Sequence, residues 1–184
     1  MFYLGRPAWL TEELFADLQR EAAEQREGAA QNRTQHFADL GPAGKALRDS
    51  EELTSFVNEN SMPATASGHG NYRYYDVPKS HIPPHLDTGD FTINVTIMLR
   101  HEYFSERRSG LLLFPHGPEP VAIVHEPGEV IIFHAKEVVH ARTPISDNND
   151  EMAVNLGIGF IPVGEVEKPG YWRPSKDDRP RDLA

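Results

Sequence analysis

The stretch HIPPHLDTGD, His81 to Asp90, sets a histidine and an aspartate on either side of one leucine, behind two prolines and ahead of a turn. In an extended strand, residues two apart project to the same face. The imidazole of His85 and the carboxylate of Asp87 are therefore expected to point into one space, where they can share a metal ion. A third ligand must come from elsewhere in the chain. His140 is the candidate, because it ends the apolar run EVIIFHAKEVVH after a Pro-Gly turn at Pro127 and Gly128. The chain has no cysteine, so neither a disulfide framework nor a thiolate metal site is possible, and any metal must take nitrogen and oxygen ligands.

Around this stretch the texture is that of strands. NYRYYDV is rich in aromatics, and FTINVTIML alternates Phe91, Ile93, Val95, Ile97 and Leu99 against Thr92, Asn94, Thr96 and Met98. Short apolar runs follow at LLLF, VAIV, EVIIF, VVHA and MAVNLGIGF, separated by glycine, proline and Asn/Asp clusters. Such spacing predicts a sandwich or barrel. The first third reads as helical instead. Thr11 is an N-cap with Glu12 and Glu13 in the first turn, and Leu14, Phe15, Leu18 and Ala22 form a stripe that predicts a helix over 12–27. The polar stretch GAAQNRTQ breaks that pattern, and Leu53, Phe56 and Val57 predict a second helix over 50–59. A single domain is expected, with residues 1–65 as helical support, 71–162 as the β core, and 163–184 as a tail pinned by Tyr171 and Trp172.

Charge and hydropathy narrow the function classes. A formal net charge of −10 argues against nucleic acid and anionic membranes as partners, since both need clustered lysine and arginine. The N-terminal MFYLGRPAWLTEE has no basic segment leading into a long apolar run, and the apolar runs elsewhere are too short to span a bilayer. A soluble, cytoplasmic protein is expected.

Two histidines and a carboxylate on one face of an octahedron leave three positions open, the facial triad of non-haem ferrous oxygenases. The segment from about Tyr72 to Phe160 resembles the double-stranded β-helix core of the Fe(II)/2-oxoglutarate-dependent oxygenases, in particular their phytanoyl-CoA and prolyl hydroxylase-like branch. Its parts occur in the family's order: RYYDVPKSHIPPHLD, FTINVTIML, SGLLLF, EPGEVIIF and VVHARTPI. The resemblance implies a mainly β jelly roll with N-terminal helices, with iron held by His85, Asp87 and His140. It also implies 2-oxoglutarate as cosubstrate, dioxygen as oxidant and a small-molecule metabolite as substrate. Halogenating relatives replace the carboxylate at the Asp87 position, so its presence favours hydroxylation, desaturation or ring chemistry.

In one place the sequence departs from the pattern. The branch carries a basic residue some ten positions after the distal histidine, to clamp the far carboxylate of 2-oxoglutarate, but DNNDEMAVN has none and offers Asp150, Glu151 and Met152. Either the clamp has moved or the cosubstrate differs. Arg142, two positions past His140, and Arg100, which closes the polar face of FTINVTIML, are the substitutes, Arg142 being favoured; only a guanidinium meets a carboxylate through a planar fork. Tyr72, Tyr74, Asn94 and Thr96 are expected to line the cosubstrate pocket. His81 is a neighbour of the ligands, and His101, His116, His125 and His134 are read as solvated or hydrogen-bonded side chains. The rival readings are a cupin-like metalloenzyme that does not use 2-oxoglutarate and a non-catalytic jelly-roll binding module.

Overall fold

The computed structural model describes residues 2–104, 108–148 and 150–164; the expected tail anchors Tyr171 and Trp172 lie outside these residues. In chain order it runs β1 (Tyr3–Gly5), α1 (Glu12–Gln25), β2 (Ala30–Asn32), β3 (Gln35–Asp39), α2 (Pro42–Arg48), α3 (Glu51–Asn60), β4 (Ala64–Tyr75), β5 (Ile82–His85), a 3-10 turn (Gly89–Phe91), β6 (Ile93–Tyr103), β7 (Leu111–Phe114), β8 (Val121–Ile123), β9 (Val130–Phe133), β10 (Val139–Arg142) and β11 (Glu151–Pro162). The strands form a seven-stranded sheet, β1-β9-β6-β11-β4-β3-β2, facing a four-stranded sheet, β5-β10-β7-β8. This is the mainly β, double-stranded β-helix architecture with helices on one side.

Local chemistry accounts for the helices. The Thr11 hydroxyl accepts from Leu14 N–H at 3.2 Å, and α1 buries Phe15, Leu18 and Ala22. Ser50 caps α3 in the same way, accepting from Leu53 N–H at 3.1 Å, and Leu53 and Val57 face inward. Strand β1 aside, which pairs with β9 at the sheet edge, two features of the first third depart from the two helices expected there. The stretch expected to be a break folds into the β2–β3 hairpin, turned by Arg33 at φ 57°, and β3 adds to the large sheet by pairing Phe37 with Arg73 and Asp39 with Asn71. Strand β2 is exposed throughout, so no apolar alternation marks it. The second feature is α2, whose N-terminus carries no side-chain cap of its own. The buried Glu21 carboxylate serves instead, accepting from Ala43 N–H at 2.6 Å and Gly44 N–H at 2.8 Å.

Strand β6 is buried over Ile93–Leu99 on both of its faces. Ile93, Val95, Ile97 and Leu99 pack with Leu156, Ile158 and Phe160 of β11 against Leu18, Leu53 and Val57 of the helices. The opposite faces look into the space between the sheets, where Asn94, Thr96, His101, Asn155, His140, Arg142 and Glu151 are buried together. A barrel interior this polar requires partners for its groups. No described helix is long and apolar enough to cross a membrane.

Candidate metal centre

Strands β5 and β10 pair with His85 directly opposite His140, which brings the ring centroids to 4.2 Å. Asp87 lies just beyond β5, anchored by its backbone N–H donating to Ala135 O at 2.9 Å. Its Oδ1 sits 3.3 Å from His85 Nε2 and 3.5 Å from His140 Nε2. One donor atom from each of the three residues falls within 4.8 Å of the other two.

Hydrogen bonds on the far side of each ring fix which nitrogen faces inward. His85 Nδ1 lies 2.8 Å from Pro83 O, and His140 Nδ1 lies 3.1 Å from Val138 O. Carbonyls only accept, so both Nδ1 atoms carry the proton and both Nε2 lone pairs are turned toward Asp87 Oδ1. His140 Nε2 is buried and has no hydrogen-bond partner. Lone pairs converging on a carboxylate oxygen repel one another unless a cation lies among them, so the donor set fits a metal ion. The second carboxylate oxygen is already engaged: Asn94 Nδ2 donates to Asp87 Oδ2 at 2.8 Å, and Thr96 Oγ1 donates to Asn94 Oδ1 at 3.1 Å.

The electrostatics agree with ligation. Burial by itself would raise the Asp87 carboxyl, but His140, His85 and the charge of Arg73 outweigh it and hold the group well below the usual carboxylate range. Burial lowers His140, which favours the neutral imidazole a metal requires, although Asp87 pulls the other way.

Arg142 shares a cavity with His85, His140, Thr96 and Asn155. Its guanidinium lies 4.9 Å from the Tyr75 ring centroid, and its one hydrogen bond among the described residues, Nη2 to Ser109 O, is long at 3.5 Å. The Nε is buried with no partner, and burial lowers the pKa of the group. Among the described residues no carboxylate lies within ion-pair distance of it. Glu151, which stands where the family pattern has a base, is engaged elsewhere: it accepts from Ser109 N–H at 2.5 Å and Ser146 N–H at 3.0 Å, and lies 3.1 Å from His101 Nε2.

Three expected pocket residues lie elsewhere. Arg100 is on the outer side of the sheet, bonded to Glu102 at 2.8 and 2.9 Å. The cause is a bulge: β11 pairs Asn155 with Met98 but Val154 with Arg100, so Leu99 is an extra residue that reverses the alternation beyond it. Tyr72 and Tyr74 also point to the helices, donating to Glu21 Oε1 at 2.6 Å and Ala22 O at 2.7 Å. The alternation on β4 is therefore one residue out of step with the expected one, and Arg73 and Tyr75 line the metal cavity in their place. Asn94 and Thr96 do face the interior, where they hold Asp87. His81 is bonded away from the ligands, with Nδ1 at 2.8 Å from Lys79 O. Asn155 also lines the cavity; its only sequence signal is a polar residue inside an apolar run.

No family model matches the chain, and none of the curated proteins matches it at a significant level. Solved structures do. A 2OG-Fe(II) oxygenase-family oxidoreductase from Burkholderia pseudomallei superposes with a TM-score of 0.64 at 15% identity, covering 84% of this chain and 82% of that one. A prolyl hydroxylase from Trichoplax adhaerens, in complex with a hypoxia inducible factor peptide, gives 0.69 at 14% identity, covering 86% and 82%. HygX from Streptomyces hygroscopicus, with nickel, 2-oxoglutarate and hygromycin B bound, gives 0.66 at 12% identity, covering 96% and 88%. The chain has the fold of these oxygenases.

Proposed function

We propose that the chain is a non-haem Fe(II)- and 2-oxoglutarate-dependent oxygenase acting on a small-molecule metabolite. The observation that carries this reading is the convergence of His85 Nε2, His140 Nε2 and one Asp87 oxygen, with His140 Nε2 buried and unpartnered. Bound at this centre, ferrous iron supplies the activation of dioxygen, coupled to decarboxylation of 2-oxoglutarate to succinate and carbon dioxide.

The protein's own groups supply geometry and charge. Pro83 O and Val138 O hold the imidazoles as Nδ1–H tautomers, Asn94 keeps one Asp87 oxygen occupied, and Phe133 packs on His140 with ring centroids 4.9 Å apart. Arg142 is the best-placed counter-ion for the far carboxylate of 2-oxoglutarate. A buried guanidinium without an acid invites a carboxylate, and its planar fork suits one. Hygromycin B in the HygX structure is a precedent for a small-molecule substrate on this fold, while the Trichoplax enzyme binds a peptide.

The test is succinate release by the iron-loaded protein in air. Succinate should form only with both Fe(II) and 2-oxoglutarate present, and Arg142→Gln should raise the 2-oxoglutarate requirement by about tenfold or more, as expected for loss of a charged hydrogen-bonded pair. Metal binding without succinate release under any substrate mixture would favour the cupin-like alternative.

A further inference from the structure

A second cation borders the metal cavity, and its surroundings differ from those of Arg142. Arg73 lies on the inner face of β4 with its guanidinium against the bare backbone of β11: a Cβ on Gly157 would sit 2.9 Å from Arg73 Nη2 and 3.0 Å from its Cζ. The guanidinium also lies over Phe91 of the 3-10 turn, whose ring centroid is 5.5 Å from Cζ. The edge is partly fixed, with Nε donating to Asn71 Oδ1 at 2.8 Å. The glycine backbone, the aromatic ring and the Asn71 amide together hold the guanidinium in place. No other hydrogen bond to it and no ion pair is found among the described residues, although the whole chain carries a net charge of −10. An immobilised cation with free N–H groups fits a planar anion.

Position indicates whose anion. Arg73 lines the metal cavity together with His85 and His140, and its charge contributes to lowering Asp87. Its contacts Asn71 and Phe91 also line a more open cleft of about 550 Å³, with Phe37, Asp39 and His69, a volume suited to a metabolite. Arg142 is buried and Arg73 only partly buried, and of the two cations Arg73 is the one whose contacts, Asn71 and Phe91, line the open cleft. Resting on the oxygenase reading above, we propose that Arg73 binds a carboxylate of the substrate to be oxidised, so that the substrate class is small carboxylic acids. Phe91 and Phe37 then offer apolar surface to the rest of the molecule.

The test separates the two carboxylate sites. The protein is loaded anaerobically with Fe(II) and saturating 2-oxoglutarate, which should give a visible charge-transfer band, and is then titrated by calorimetry with benzoate or with its neutral isostere benzamide. Benzoate should bind saturably and benzamide should not. Arg73→Gln should weaken benzoate by about tenfold or more, with Arg73→Lys in between because it keeps the charge but loses the fork. The 2-oxoglutarate band in each variant shows that the fold is intact. Arg142→Gln should instead weaken the response to 2-oxoglutarate. Absence of saturable benzoate binding, equal binding of benzamide, or undiminished benzoate binding in Arg73→Gln would overturn the proposal. If 2-oxoglutarate gives no band in the unaltered protein, the oxygenase reading fails separately, and the calorimetric comparison still decides the role of Arg73, with matching urea unfolding midpoints then showing that the variants are folded.

Discussion

At His140 two requirements coincide: the ring is buried, and its inward nitrogen makes no hydrogen bond while facing Asp87 Oδ1 at 3.5 Å. That combination gives Asn94 a measurable role. By fixing Asp87 Oδ2, Asn94 keeps Oδ1 turned toward the two imidazoles, and Asn94→Ala should weaken metal binding by about 10–100-fold, as loss of an orienting partner typically does, read by competition with a chelating dye. Arg142 leads to an opposite pair of effects. A buried guanidinium without a counter-ion costs stability, so Arg142→Met should stabilise the ligand-free protein by about 1–2 kcal/mol in urea denaturation while weakening 2-oxoglutarate. Loss of both would mean that the arginine is structural. The convergence of His85, Asp87 and His140 was legible as residue types at a spacing, and so was the place of Arg142 in their cavity. The Asn94 contact was not, because a period-two pattern shows that a side chain faces inward without showing what it touches there.

At the scale of elements, the strands of the second half were legible because each carries its own apolar run, whereas β3 depends on tertiary pairing with β4 and β2 on pairing with β3. The errors at Arg100, Tyr72 and Tyr74 share a cause: in a strand, being one residue out of step exchanges the two faces entirely. On β6 the extra residue Leu99 makes that exchange partway along, and on β4 the run Tyr72–Tyr75 has aromatics on both faces, so composition could not choose. The glycines of β11 carry the reverse information. A Cβ at Gly159 would lie 2.1 Å from Asp90 O, so Gly159→Ala must displace the 3-10 turn that carries Phe91. It should cost about 1–3 kcal/mol in thermal or urea unfolding, with the displaced turn visible in the amide spectrum of residues 89–91.

Across the whole molecule, the buried tyrosines and a buried histidine respond to pH at opposite ends of the scale. Burial raises Tyr72, Tyr74 and Tyr75, and Tyr74 is pushed up to about 12. The folded state therefore keeps these protons where the unfolded chain has lost them. Their contribution is complete below about pH 10 and is lost as pH rises above it; Tyr74→Phe should flatten the fall in the urea midpoint between about pH 10 and 12. His125 behaves in the opposite sense. Burial pushes it down to about 3 while its Nε2 stays 2.8 Å from Glu129 O, so stability is full above about pH 6.5 and declines as the unfolded chain takes up the proton at lower pH. The overall architecture was legible from the order of motifs along the chain. The polar barrel interior was not, because its members come from β4, β6, β10 and β11 and meet only after folding. That His85, Asp87 and the distant His140 grip one ion is tested most directly by anaerobic equilibrium dialysis against Fe(II), comparing the unaltered chain with His140→Ala and Asp87→Ala. We expect one ion per chain in the first and none retained in either variant. Stoichiometric iron in both variants, or none in the unaltered chain, would contradict the account.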